Sequence, residues 1–123
     1  MTNRIQALFD LHDKTAVVTG GGGDLCSMMS QALCDAGARV AVLDLSLEKA
    51  SRVADSIVAS GGIARAFACD VLDEKSLATA NDSILALWGV PDILINGAGG
   101  NVPSGSTKVE FLEREQLDEP GGA

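Results

Sequence analysis

Four short stretches of this chain carry residues whose types and spacing could do chemistry. The first, Thr19-Gly20-Gly21-Gly22-Gly23-Asp24-Leu25-Cys26, leads from a β-branched apolar run through four glycines into an amphipathic segment. Backbone stripped of side chains, ending at a helix N-terminus with free N–H groups, suits a pyrophosphate. The same glycines could equally make a tight structural reversal. A Walker-type phosphate loop does not fit, because Asp24, Leu25 and Cys26 stand where Gly-Lys-Ser/Thr is required.

The second stretch ends in Asp44, 24 positions after Gly20. A carboxylate there can accept both ribose hydroxyls of an adenosine, although a solvated residue beside a helix capped by Ser46 is the plainer alternative. The charge repels a 2′-phosphate, and no Lys or Arg lies in the glycine loop or directly after Asp44. NAD is therefore expected over NADP. The third and fourth stretches are Asp70-Val71 and Asn96-Gly97-Ala98-Gly99. Each could be turn chemistry alone, but both follow apolar runs at the same relative place as the first two.

The elements that must position these groups alternate in kind. KTAVVT (14–19), RVAVLD (39–44), ARAFACD (64–70) and DILIN (92–96) read as strands. Between them, Leu25, Met28, Met29, Ala32, Leu33 and Ala36 recur at helical spacing, stopped by Gly37. Leu47, Ala50, Val53, Ala54, Ile57 and Val58 do the same before Gly61 and Gly62. A third set, Leu77, Ala80, Ile84, Leu87 and Trp88, follows a candidate N-cap at Asp73 and is ended by Gly89 and Pro91. Strands and helices joined this closely wind with right-handed crossovers, which predicts an α/β fold, a doubly wound parallel sheet; for the dinucleotide-binding form of such a sheet the expected strand order is 3-2-1-4. In such sheets ligands bind outside the carboxyl ends of the strands, where all four stretches fall.

Composition narrows the class. The 123 residues carry a formal net charge of −8 and are 46% hydrophobic, enough for one modest domain. An acidic surface argues against nucleic acid or an anionic membrane as partner. Cys26, Cys34 and Cys69 lack paired metal spacing, and MTNRIQALFD has no apolar signal run, so free thiols and a cytoplasmic location are expected. No metal site is expected; the acidic residues Glu110 to Glu119 read as a solvated helix face. His12 is expected exposed, Trp88 as helix-to-sheet packing, and Cys26 as a buried thiol. After Asn96 the alternation stops, so we divide the chain into a dinucleotide-binding portion (1–101) and a loop with the start of a helix (102–123).

Taken together, the Thr-Gly-rich loop at 19–26, Asp44, Asp70-Val71 and the Asn-x-Ala-Gly run at 96–99 resemble the short-chain dehydrogenase/reductase family, over roughly residues 10–101. Within it, FDLHDKTAVVTGGGG, VAVLDLSLEKA and DILINGAGGN look most like the bacterial D-mannonate oxidoreductases, or fructuronate reductases, of the short-chain type. The resemblance implies NAD as cofactor and a sugar acid as substrate. It places Gly20, Gly22, Gly23, Asp24 and Leu25 along the pyrophosphate and nicotinamide, and Asp44 and Leu45 at the adenosine ribose. Asp70 and Val71 would meet the adenine, and Asn96, Ala98 and Gly99 would pack beside the cofactor.

The departures are Asp24 and Cys26, where the family has glycines, and Gly97, where it has a second Asn. The family also uses a Tyr, a Lys four residues on, a Ser and a relay Asn, all downstream of the 96–99 motif. This sequence has no Tyr. Ser104 and Ser106 come too early to be the catalytic Ser, and Lys108 has no Tyr before it. No catalytic residue is therefore assigned, and the 123 residues alone are expected to be inactive, as an amino-terminal portion of an enzyme. The alternative is a non-catalytic NAD-binding remnant or interaction module. Ile93, Leu94 and Ile95 would form an apolar edge strand, which predicts self-association.

Overall fold

The computed structural model describes residues 3–99. Elements follow in the order α1 (Arg4–Leu8), β1 (Thr15–Thr19), α2 (Asp24–Asp35), β2 (Arg39–Asp44), α3 (Leu47–Ala59), β3 (Ile63–Ala68), α4 (Glu74–Trp88) and β4 (Ile93–Asn96). The four strands form one parallel sheet in the order β3-β2-β1-β4. The doubly wound expectation, strand order included, is met.

Local chemistry explains the boundaries. Ser46 caps α3 by accepting the Lys49 N–H, and Asp73 caps α4 by accepting that of Lys75. Helix α2 ends in a Schellman turn: Gly37, at φ +106°, donates to the Cys34 carbonyl while Ala38 donates to that of Leu33. The short α1 was not expected. It forms behind Asn3, whose side chain accepts from Gln6 N while the Gln6 side chain accepts from Asn3 N.

Alternate residues of each strand point to opposite faces, and the two faces are covered differently. Val18, Val40 and Val42, each fully buried, pack with Ala50, Ala54 and Ile57 under α2 and α3. On the other face Val17, Ala41 and Leu43 meet Ala80 and Ile84 of α4, with Phe67 and Trp88 alongside. Trp88 thus packs as expected, and His12 is exposed.

In three helices, residues of the apolar period lie open rather than buried. In α2 the buried residues are Cys26 and Ser30, while Leu25 and Met28 are 66% and 70% exposed. Small side chains bring the first half of this helix close to the sheet with Leu25 and Met28 outside, while Leu33 in its second half packs against the core. Ser30 Oγ is buried without a hydrogen-bond partner among the described residues, for which we have no physical account. In α3, Leu47 and Val58 are about half exposed, and in α4 Leu77 and Leu87 are likewise open. Strand β3 stops at Ala68, so Cys69 and Asp70 lie in the turn after it.

Candidate functional site

Register fixes the site. Thr19 pairs with Leu43 and with Asn96, and Asp44 with Ala68, so all four strands finish at one edge. Residues far apart in sequence are brought together there.

At the end of β1 the chain turns through Gly20 at φ +62°, a conformation that L side chains rarely adopt. Space is also closed to any Cβ at this position, since it would meet the Ala98 backbone at 2.8 Å. Gly21 donates to the Leu43 carbonyl at 2.9 Å and Gly23 to that of Gly20 at 3.1 Å. Gly22 donates to Asp44 Oδ2 at 3.0 Å, and a Cβ on it would run into Lys49 and the Asp44 carboxylate. The loop is pressed against the start of α3 and is tied by its own N–H to the acid at the end of β2.

Ser27 is the first residue of α2 to make a helical bond, donating to Gly23 O at 2.9 Å. The N–H groups of Asp24, Leu25 and Cys26 find no acceptor among the described residues. Three orphan donors at the end of a helix, with glycine backbone in front, are the physical requirement for holding an anion. Asp24 itself is exposed, whereas Cys26 is buried as expected.

Asp44 is half-buried and engaged through both oxygens: Oδ2 takes Gly22 N–H, and Oδ1 takes Ser46 N–H at 2.9 Å. A carboxylate has about four lone-pair sites, so acceptor capacity remains. Leu45, beside it, is 77% exposed. Asp70 shapes the next loop, its Oδ1 accepting from Leu72 N at 3.0 Å while its N–H donates to Ser76 Oγ at 2.9 Å. Val71 reaches the wall of an open groove of about 570 Å³, lined also by Thr19, Leu43, Leu77, Asn81 and Asn96.

Thr19 was overlooked as a site residue in its own right. Its Oγ1 accepts from the N–H groups of Gly97 (3.1 Å) and Ala98 (3.2 Å), sewing the glycine loop to the end of β4. The signal was a hydroxyl at the last position of β1, directly before the glycines. Leu77 and Asn81, which line the groove, and Ser76, which accepts from Asp70 N–H, were also missed, because such positions on a helix have no distinctive spacing.

Gly20, Gly22, Gly23, Asp24, Leu25, Asp44, Asp70, Val71, Asn96, Ala98 and Gly99 all lie at or beside this carboxyl edge. Ser104, Ser106, Lys108 and the segment from 102 onward lie outside the described residues. Among the described residues, no group of three or more His, Cys, Asp or Glu is arranged to hold a metal. None of their helices is long and apolar enough to cross a membrane.

A family model described as short chain dehydrogenase matches residues 14–119. An uncharacterised oxidoreductase of Bacillus subtilis (strain 168), UxuB, is 50% identical over 104 residues, which are 85% of this chain and 37% of the relative. A protein provisionally assigned as a D-mannonate oxidoreductase from Haemophilus influenza, solved with bound NAD, superposes with a TM-score of 0.76 at 40% identity. That match covers 90% of this chain and 40% of the other. A metagenomic short-chain oxidoreductase in complex with NADP gives 0.70 at 36% identity, covering 73% and 41%. The chain thus spans well under half the length of these relatives. With a parallel sheet of order 3-2-1-4, a glycine loop at its carboxyl edge and a family match over nearly the whole sequence, this chain belongs to the short-chain dehydrogenase/reductase family.

Proposed function

We propose that the carboxyl edge of this sheet binds NAD, and that the whole protein transfers hydride at a secondary alcohol of a sugar acid, interconverting D-mannonate and D-fructuronate. The observation that carries the cofactor reading is the Asp44 carboxylate, held by Gly22 N–H beside three N–H groups of α2 that find no acceptor among the described residues. In this reading the N–H groups of Asp24, Leu25 and Cys26 take the pyrophosphate. Asp44 uses its remaining lone pairs for the ribose, with Leu45 alongside. Val71 and Asp70 border the adenine, while Asn96, Ala98 and Gly99 support the nicotinamide half. Bound NAD supplies the hydride acceptor; the protein binds and orients it. The sugar-acid substrate is supported by the likeness to the Haemophilus protein.

A relative with NADP keeps the cofactor question open to experiment. Asp44 faces a 2′-phosphate with like charge, so reduced-nicotinamide fluorescence should show NADH binding at least about tenfold tighter than NADPH, equivalent to ~1.4 kcal/mol. Equal or tighter NADPH binding would sink the assignment.

We place the protein in the cytoplasm, in keeping with free Cys26, Cys34 and Cys69. Self-association through β4 belongs to the same proposal, supported by Leu94 at 60% exposure on a strand paired along one side among the described residues.

A further inference from the structure

The sulfur of Cys26 lies where a side chain on residue 97 would have to go. A Cβ built on Gly97 would collide with Cys26 Sγ and would meet the Thr19 carbonyl oxygen at 2.7 Å, while the Cys26 Cβ stays at 3.6 Å, an ordinary contact. The collision is therefore with the thiol and one backbone oxygen.

The position matters because of what else is there. Cys26 lies in the first turn of α2, carries one of the three N–H groups without an acceptor among the described residues, and is 7% exposed. Gly97 is the residue whose N–H bonds Thr19 Oγ1 at 3.1 Å, with Ala98 beside it at 3.2 Å. Ala98 in turn closes the space over Gly20. The thiol is thus wedged between the anion-facing end of α2 and the peptide that sews β4 to the glycine loop.

We infer that Cys26 is a positioning residue paired with Gly97: the two share one side-chain volume, which can be filled from either side but not from both, and its filling by the thiol sets the spacing between the α2 N-terminus and the β4 loop. The consequence for dinucleotide affinity rests on the proposed function, whereas the packing linkage does not.

The molecule contains its own control. A Cβ on Gly62 would collide with Cys34 Sγ and would meet Ile57 Cγ2 at 2.8 Å. That pair joins the end of α2 to the start of β3, at the amino edge of the sheet. It has the same thiol-against-glycine chemistry without a place in the site.

The test is a double-mutant cycle on the full chain with Cys26→Ala, Gly97→Ala and both together, and a parallel cycle with Cys34→Ala and Gly62→Ala. Each protein is read by denaturant midpoint and, at a temperature where circular dichroism shows it folded, by NADH titration. Gly97→Ala should weaken NADH about tenfold or more, and the double variant should recover roughly threefold or better, so the two changes are not independent. Recovery is partial because the Thr19 carbonyl remains. The Cys34–Gly62 cycle should show linkage in the midpoint and none in NADH affinity. If Gly97→Ala does not fold but the double variant does, removal of the thiol has relieved the collision as inferred. Independent losses in the Cys26–Gly97 cycle, a double variant that stays unfolded while Cys26→Ala folds, or equal affinity effects in both cycles would overturn the inference. Failure of every protein, wild type included, to bind NADH would remove the proposed function, and the midpoint cycle would still decide whether the two residues share one volume.

Discussion

The two faces of the sheet are built from similar strands but are finished differently. Under α2 and α3, Val18, Val40 and Val42 are fully buried, and Ala50, Ala54 and Ile57 close over them. On the opposite face α4 contributes only Ala80 and Ile84 to the buried core, and a groove of about 570 Å³ runs beside it past Val17, Leu43 and Leu94. The first face is where stability resides. Among the described residues the second face is covered less completely, with Thr19, Asn81 and Asn96 along the groove. The lesson is that the two faces of one parallel sheet can be packed to different extents while strand ends fixed by one register still bring the glycine loop, Asp44 and the end of β4 to a single edge.

The largest expected effect lies on the closed face. Ile57→Ala leaves a cavity between α3 and the sheet, and should cost ~2–5 kcal/mol in a denaturant titration. Should it cost no more than a surface change, the closed face would not be the main core. Next comes Asp44→Ala at the shared edge, which frees the N–H groups of Gly22 and Ser46 from a charged acceptor. A loss of about 1.5–3 kcal/mol is expected for such bonds, visible as faster amide exchange at Gly22 and weaker NADH binding. Unchanged exchange at Gly22 would show that the glycine loop holds its shape without the acid. The smallest effect belongs to the open face. Leu94, 60% exposed, has little contact to lose, so Leu94→Lys should change stability by about 0.5 kcal/mol or less. By size-exclusion chromatography the same variant should be more monomeric than the parent, and an unchanged elution profile would argue against association through β4.

The same asymmetry explains what could be read from the sequence. Three strand ends were legible because apolar runs with β-branched residues stop at Gly20, Asp44 and Asn96, whereas ARAFACD has no β-branched residue and β3 stops at Ala68, short of Asp70; the handedness of the crossovers constrains how the strands are wound. The helix faces were less so. Leu25 and Met28 carry the apolar period of α2, yet Cys26 and Ser30 do the burying. Close helix-to-sheet approach selects small residues, and periodicity weighted by hydrophobicity does not register them. Leu77 and Leu87 belong to the apolar period of α4 but are left open, on a face that α4 alone covers among the described residues. Within the site, glycines and acids were visible as types, whereas Thr19 emerged only once β4 was placed beside β1, 77 residues later in sequence at Asn96. Pairings across such distances are a property of the fold, not of any local pattern.

Asp44 has one more consequence. Both of its oxygens hold backbone, one from the loop after β1 and one from the cap of α3. Ordering of that loop is therefore completed during folding rather than charged to association, so less conformational entropy is lost when a ligand arrives. A substitution that loosened this strut could weaken binding while leaving every ligand contact in place, and it would do so chiefly through entropy.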